Sequence, residues 1–239
     1  MNIEDFSLEL TKKTNKIGIE LDNEQIQKLY DYMNLLLEWN EKINLTAITE
    51  PNEVILKHFV DSLSIQKYIE KDLKIIDVGT GAGFPGIPIS IVNSNTEITL
   101  LDSLNKRINF LNEVINKINL DNVNTIHSRV EDAGKEKKYR ESYDIATSRA
   151  VASLNVLLEY LLPLVKVGGK CICMKGSSVK EEIEEAKNAI KILGGEIEKI
   201  DEIILPDSDI KRNIIIIKKV KETPLKYPRK AGIPTKEPI

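Results

Sequence analysis

The stretch Asp77-Val78-Gly79-Thr80-Gly81-Ala82-Gly83-Phe84-Pro85-Gly86 decides the fold. It follows a short apolar run, residues 74–78, and opens a helical pattern that extends through about Val92. Glycines carry no Cβ, so a ligand can approach the backbone closely, and free N–H groups at a helix start face an anion. Two nucleoside cofactors compete for such a strand–loop–helix. The dinucleotide fingerprint G-x-G-x-x-G wants glycine where Phe84 stands. The pattern here is G-x-G-x-G, with an acid two residues before the first glycine.

Downstream, short apolar strands alternate with helices. Strands are expected at 97–101, 123–127, 143–147 and 171–175, with helices at 105–119 and 154–165, the latter ending at Gly168-Gly169. Ser178 opens a charged helix that Gly194-Gly195 closes, as a C-cap glycine should. Strands at 196–205 and 213–220 then follow without a helix between them. Alternation implies a parallel sheet covered on both faces, and the last two strands imply a terminal antiparallel pair. Upstream, residues 1–70 read as helices. Asp22 and Gln25 resemble a capping box, and Ile26, Leu29, Tyr30, Met33, Leu36 and Leu37 follow the helical period. Thr49 and Pro51 start another helix, with Val54, Ile55, Phe59 and Leu63 on its apolar face. The expected division is a helical segment over 1–70, a Rossmann-like domain over 71–222 and a basic tail over 223–239.

The chain has 239 residues, 41% hydrophobic and 30% charged, which excludes a disordered chain, a collagen and a coiled-coil rod. Cys171 and Cys173 are too few for a disulfide framework or a four-thiolate zinc site, and alternate strand positions make them buried filler. With two histidines in all, no metal is expected. The acidic N-terminus lacks a signal-peptide core, and the isoleucine run 214–217 falls far short of the roughly 20 residues of a membrane helix. A soluble, cytoplasmic protein with no membrane partner is the expectation.

Asp102, at the end of the second strand, can accept from both ribose hydroxyls of a nucleoside. NAD and S-adenosylmethionine satisfy it equally. After the third strand, Val130 can cover an adenine and Glu131 can accept from its amine or orient nearby N–H groups. After the fourth strand, the segment Asp144 to Ala150 faces the reactive end of a cofactor. It contains no Asn- or Asp-Pro-Pro-aromatic motif for amine methylation, and neither cysteine follows a proline as cytosine-5 chemistry requires. Arg149 there suits a phosphate, a carboxylate or an ordinary ion pair. His58 and Asp61, three apart, share a helix face for RNA contact, cofactor closure or a structural pairing. Trp39 reads as core, and Lys175 as a phosphate contact or a solvated charge.

The glycine variant resembles the S-adenosylmethionine loop of class I methyltransferases. Further motifs sharpen this: Trp39-Asn40-Glu41-Lys42-Ile43-Asn44-Leu45-Thr46, His58-Phe59-Val60-Asp61-Ser62-Leu63, Asp77 through Pro88, Leu101-Asp102-Ser103 with Lys106-Arg107, Ser148-Arg149-Ala150-Val151, Lys175-Gly176 and Tyr227 through Pro234. With them the chain closely resembles the bacterial small-subunit ribosomal RNA guanine-N7 methyltransferases, also called glucose-inhibited division protein B. The resemblance implies a class I fold: a Rossmann-like, mostly parallel seven-stranded sheet with a terminal antiparallel strand, preceded by helices. It implies methyl transfer from S-adenosylmethionine to N7 of a guanine in the 530 loop of 16S rRNA, on the rRNA or the small ribosomal subunit. It implies cofactor contacts at Gly79, Phe84, Val130, Glu131 and Arg149, to which the loop and ribose arguments add Gly81 and Asp102. Guanine N7 carries no proton at neutral pH, so neither a general base nor a nucleophile is required. Alternatives are a methyltransferase for another RNA, a protein or a small molecule, a non-catalytic nucleotide-binding protein, and an NAD-dependent oxidoreductase, the last disfavoured by Phe84. A monomer is expected.

The formal net charge of -3 argues at first against a nucleic-acid partner. Placement of the charges removes the objection. Residues 1–40 hold eight acids and four bases, a balance of -4, whereas residues 209–239 hold nine bases and three acids, a balance of +6. Four prolines stiffen that tail. An RNA-facing surface is therefore expected from the tail, Arg229 and Lys230 above all, with His58, Lys106, Arg107, Arg149 and Lys175 near the cofactor mouth.

Overall fold

The alternating apolar runs form one seven-stranded sheet in a computed structural model that describes residues 1–149, 151–176 and 179–239. Two helices come first, α1 (Ile3–Lys16) and α2 (Asn23–Ile43). Asp22 and Gln25 close the expected capping box on α2, each side chain bonding the other's backbone N–H. The buried face of α2 also includes Tyr32, while Tyr30 and Leu37 pack partly buried against the same core. Tyr32 lies on the stripe of Leu29, Met33 and Leu36, and its burial is tolerable because its hydroxyl donates to the Ala82 carbonyl. α3 (Pro51–Val54) is capped by the Glu50 carboxylate on the Glu53 N–H at 2.9 Å. A π-helical turn, Ile55–Val60, links it to α4 (Asp61–Leu63), and Val54, Ile55, Phe59 and Leu63 are all buried as the period requires.

The sheet follows as β1 (Lys74–Val78), α5 (Gly86–Val92), β2 (Glu97–Asp102), α6 (Asn105–Lys117), β3 (Val123–His127), α7 (Val130–Ala133) and β4 (Tyr143–Arg149). Next come α8 (Leu154–Leu161), β5 (Val165–Lys175), α9 (Val179–Leu193), β6 (Gly195–Ile204), β7 (Lys211–Lys219) and α10 (Ile233–Lys236). The strand order is β3-β2-β1-β4-β5-β7-β6, parallel except for β7, which runs antiparallel to both neighbours. The last strand in the chain thus lies inside the sheet, and β6 forms the edge, where its charged side chains blunt further pairing.

Two apolar clusters cover the two faces. Ile214 and Ile216 join the cluster built with α1, α2, α5 and α6, while Ile215 and Ile217 join the one built with α8 and α9. Cys171 and Cys173 share the second face, with Ile172 and Met174 on the first. The cysteines are buried, and burial pushes the Cys173 thiol up to about 12.

One boundary differs from expectation. α8 ends at Leu161, and β5 begins at Val165, so Gly168 and Gly169 lie within the strand. The β4–β5 register shifts between Tyr143 and Ile145 at this bulge. A Cβ on Gly169 would stand 2.5 Å from the Asp144 carbonyl, so the glycine serves strand approach and not a helix cap. Ser178, the expected start of α9, lies outside the described residues. Gly194, with φ +90, closes that helix as expected.

Candidate active site

The glycine loop between β1 and α5 is ordered from beneath by Asp77. Its Oδ2 accepts from Thr80 Oγ1 at 2.6 Å and from the Gly86 N–H at 2.8 Å. Gly86 must lack a side chain, because a Cβ there would stand 2.3 Å from Leu100 and 2.9 Å from Asp77. Complete burial raises the Asp77 carboxyl to about 6, against the lowering effect of those hydrogen bonds. Gly81 is different. Its φ is +63, and a Cβ there would meet only the Gly79 carbonyl at 4.0 Å. The loop is therefore open above Gly81, and a side chain would project into that space.

Asp102 ends β2 beside the loop. Its carboxylate accepts from the Gly81 N–H at 3.0 Å, the Leu104 N–H at 2.9 Å and Arg107 Nη1 at 3.2 Å. It thus orients the loop and keeps capacity for a further donor, since a carboxylate has about four acceptor positions.

A second group of residues closes the loop from the side. The imidazole of His58, on the π-helical turn, stacks on the Phe84 ring with centroids 4.4 Å apart and planes 12° apart. The Arg149 guanidinium, at the end of β4, sits 5.1 Å from the same ring centre. Arg149 donates to the Lys57 carbonyl at 3.0 Å, to Asp61 Oδ2 at 3.0 Å and to His58 Nδ1 at 3.1 Å. Arg212 Nε takes the other Asp61 oxygen, also at 3.0 Å. A guanidinium can only donate, so His58 Nδ1 accepts and the ring proton sits on Nε2, which donates to Thr46 Oγ1 at 2.8 Å. Burial and, secondly, the Arg149 charge lower the His58 pKa to about 3, so the ring is neutral.

Two clefts meet at this wall. The smaller, of about 460 Å³, is bounded by Gly79, Gly81, Phe84, Asp102, Arg107 and Arg149. The larger, of about 880 Å³, reaches Lys175, Glu182 and Arg212. His58, Arg149 and Val151 line both.

The structure thus gathers Gly79, Gly81, Phe84, Asp102, Arg149 and His58 around one cleft, with Lys175 in its neighbour. Val130 and Glu131 line neither. Val130 packs into the core of the α8–α9 face, and Glu131 accepts from the Gly232 N–H at 3.2 Å. Lys175 is buried and bonds Glu182 at 2.6 Å and the Ala152 carbonyl, so it is not a solvated charge. Lys106 is exposed and, among the described residues, reaches the Ile43 carbonyl alone, at 3.4 Å. In the tail, Arg229 is tied to the fold: Glu159, 1% exposed, binds its Nε and Nη2 at 2.9 and 2.6 Å and accepts its backbone N–H at 2.8 Å. A buried carboxylate cannot stand unpaired, so this guanidinium is held for structure. Lys219 is likewise buried against Glu141, whereas Lys230 is exposed.

Sequence reading missed Thr46, Val151, Glu182 and Arg212 as parts of the wall and clefts. The three-residue spacing of His58 and Asp61 was the one local sign of the Arg149 network. Among the described residues no cluster of three or more potential metal ligands occurs, and no helix is long and apolar enough to cross a membrane.

Residues 25–214 match the GidB family, described as rRNA small subunit methyltransferase G. A ribosomal RNA small subunit methyltransferase G of Acetivibrio thermocellus is 57% identical over 231 residues, 96% of this chain and 95% of that protein. The protein of the same name from Alkaliphilus metalliredigens is 54% identical over 226 residues, 94% of this chain and 95% of its own length. Among solved structures, a SAM-dependent methyltransferase from Aquifex aeolicus superimposes with a TM-score of 0.52 at 18% identity, covering 70% of this chain and 93% of that one, which bears on the fold alone.

Proposed function

Because the chain belongs to the GidB family of small-subunit rRNA methyltransferases, we propose that it methylates N7 of a guanine in the 530 loop of 16S rRNA with S-adenosylmethionine as donor. Gly79, Gly81, Phe84, Asp102 and Arg149 would hold the donor in the smaller cleft. Two features fit it: the open space above Gly81 and the buried Asp102 carboxylate, whose remaining acceptor position suits a ribose hydroxyl. When bound, S-adenosylmethionine supplies an electrophilic methyl group on a sulfonium leaving group.

The observation that carries the N7 reading is the absence of an available base at the wall between the clefts. Among the described residues there, His58 accepts from Arg149 and donates to Thr46, and Asp61 spends one oxygen on Arg149 and the other on Arg212. An amine or hydroxyl acceptor would need its proton removed; guanine N7 presents a bare lone pair. The wall then has only to fix geometry. Phe84 and His58 form a flat, dehydrated stack, and Arg149 locks both to β4, so the acceptor atom can be aligned with the methyl group at little entropic cost in the reaction step.

Methyl transfer measured with 30S subunits and with naked 16S rRNA, both lacking the modification, tests the reading. Incorporation into either, located at N7 of a 530-loop guanine, supports it. Incorporation elsewhere, or unchanged N7-methylguanosine in rRNA from a deletion strain, contradicts it.

A further inference from the structure

The larger cleft holds a carboxylate that the methyl-transfer geometry leaves unused. Its charged side chains are mostly committed: Asp61 to two arginines, Arg149 to Lys57, His58 and Asp61, and Lys175 to Ala152 and Glu182. Glu182 is the exception. Its Oε2 accepts from Lys175 Nζ at 2.6 Å and from the Leu154 N–H at 2.9 Å. Two bonds on one oxygen fix the side chain, while Oε1 has no partner among the described residues and the side chain stays 29% exposed on the cleft. Glu182 lies away from the shared wall: it lines the larger cleft only, beyond β5, while the loop and Asp102 lie over β1 and β2.

We propose that Glu182 reads the acceptor base by accepting from N1–H and the 2-amino group of guanine. This inference rests on the guanine-N7 reading above. The N1–H and N2–H bonds of guanine are adjacent and parallel, and one carboxylate oxygen with two lone pairs can accept both. That edge lies across the fused rings from N7. A base held by Glu182 at one end of the larger cleft therefore presents N7 toward the wall of His58, Arg149 and Val151. Adenine would turn the lone pair of its N1 on the carboxylate, so the same group rejects the other purine. Methylation at N7 also makes the base cationic and its N1–H more acidic. The hydrogen bond to Glu182 strengthens as the methyl group arrives, so its effect falls on kcat more than on KM.

The test uses 30S subunits reconstituted with 16S rRNA carrying either guanine or hypoxanthine at the acceptor position. Hypoxanthine keeps N7 and N1–H and lacks only the 2-amino group. The wild-type protein should methylate the hypoxanthine substrate about tenfold more slowly, the loss expected for one hydrogen bond to a charged group. Glu182→Gln keeps an oxygen for the Leu154 N–H and should retain S-adenosylhomocysteine binding by calorimetry. It should be at least tenfold slower on guanine through kcat and should treat the two bases alike. Equal wild-type rates on guanine and hypoxanthine would overturn the inference without any variant, as would an undiminished preference in Glu182→Gln. In both cases N7 methylation by the wild type would leave the parent reading intact. No N7-methylguanine from the wild type would overturn both.

Discussion

Arg149 donates to Nδ1 of His58 across 3.1 Å and so decides which of the imidazole nitrogens carries the proton. The same guanidinium binds Asp61, which is buried and shared with Arg212. Removing Arg149 leaves that carboxylate with half its compensation. Arg149→Ala should lower stability by about 3 kcal/mol in urea unfolding. The double variant with Asp61→Asn should recover part of the loss. Arg149→Lys should not restore cofactor binding, because an ammonium cannot form three divergent bonds in one plane. Additive single and double effects would show that Arg149 and Asp61 are not coupled.

The buried His58 gives stability a defined pH dependence. In the unfolded chain a histidine titrates near 6.5, and in the fold His58 titrates at about 3. Between those values the unfolded chain takes up a proton that the folded chain refuses, so stability falls as pH drops through the window. Asp77, raised to about 6, acts in the opposite sense from roughly pH 6 down to 4, because there the folded state is the one that binds the proton. A comparison with His58→Gln removes the Asp77 contribution. The stability of the wild type relative to that variant should decline by about 2 kcal/mol between pH 7 and pH 5. A constant difference would mean that His58 takes up its proton at the same pH in the fold as in the unfolded chain.

Two glycines of one loop should fail in different ways. Gly81→Ala places a methyl group in open space at φ +63, which costs about 1 kcal/mol of backbone strain and occupies the room proposed for the cofactor. It should reduce S-adenosylhomocysteine affinity more than tenfold with a small change in Tm. Gly86→Ala drives a Cβ against Leu100 and Asp77 and should cost about 1–3 kcal/mol through overpacking. The reverse ranking, measured by calorimetry and thermal unfolding, would move the cofactor away from Gly81.

The features legible in the sequence are those whose signal is local. The strand–loop–helix at Asp77 to Gly86, the capping box of Asp22 and Gln25, and the period of Val54, Ile55, Phe59 and Leu63 all operate within a few residues. Tyr32 shares the helical stripe of Leu29 and Met33, but the partner of its buried hydroxyl, the Ala82 carbonyl, is 50 residues away and has no local signal. Gly168-Gly169 looks like a helix cap, and only the approach of Asp144 on the neighbouring strand reveals a bulge. The bond between His58 and Arg149 spans 91 residues, and that between Arg229 and Glu159 spans 70. Composition could show that the tail is basic but not which of its cations are already paired.

Arg229 and Lys230 therefore separate sharply despite being neighbours. Arg229→Ala strands the buried Glu159 and should cost about 3–5 kcal/mol in chemical unfolding. Lys230→Ala, at an exposed position, should change stability by no more than about 0.5 kcal/mol. If Lys230 meets a phosphate, its loss should weaken RNA binding and reduce the salt dependence by about one counterion. Equal stability losses in the two variants would contradict the assignment of Arg229 to the fold.

The most direct measurement is the position of the transferred methyl group. Purified protein, S-adenosylmethionine and 30S subunits that lack the modification are combined, and the 16S rRNA is digested and read by mass spectrometry. The expected product is a single N7-methylguanosine in the 530 loop, since the wall between the clefts offers alignment and no base. A methyl group on an exocyclic amine, a ring carbon or a ribose hydroxyl would contradict this account, because each of those acceptors must lose a proton that no residue of the wall is available to take.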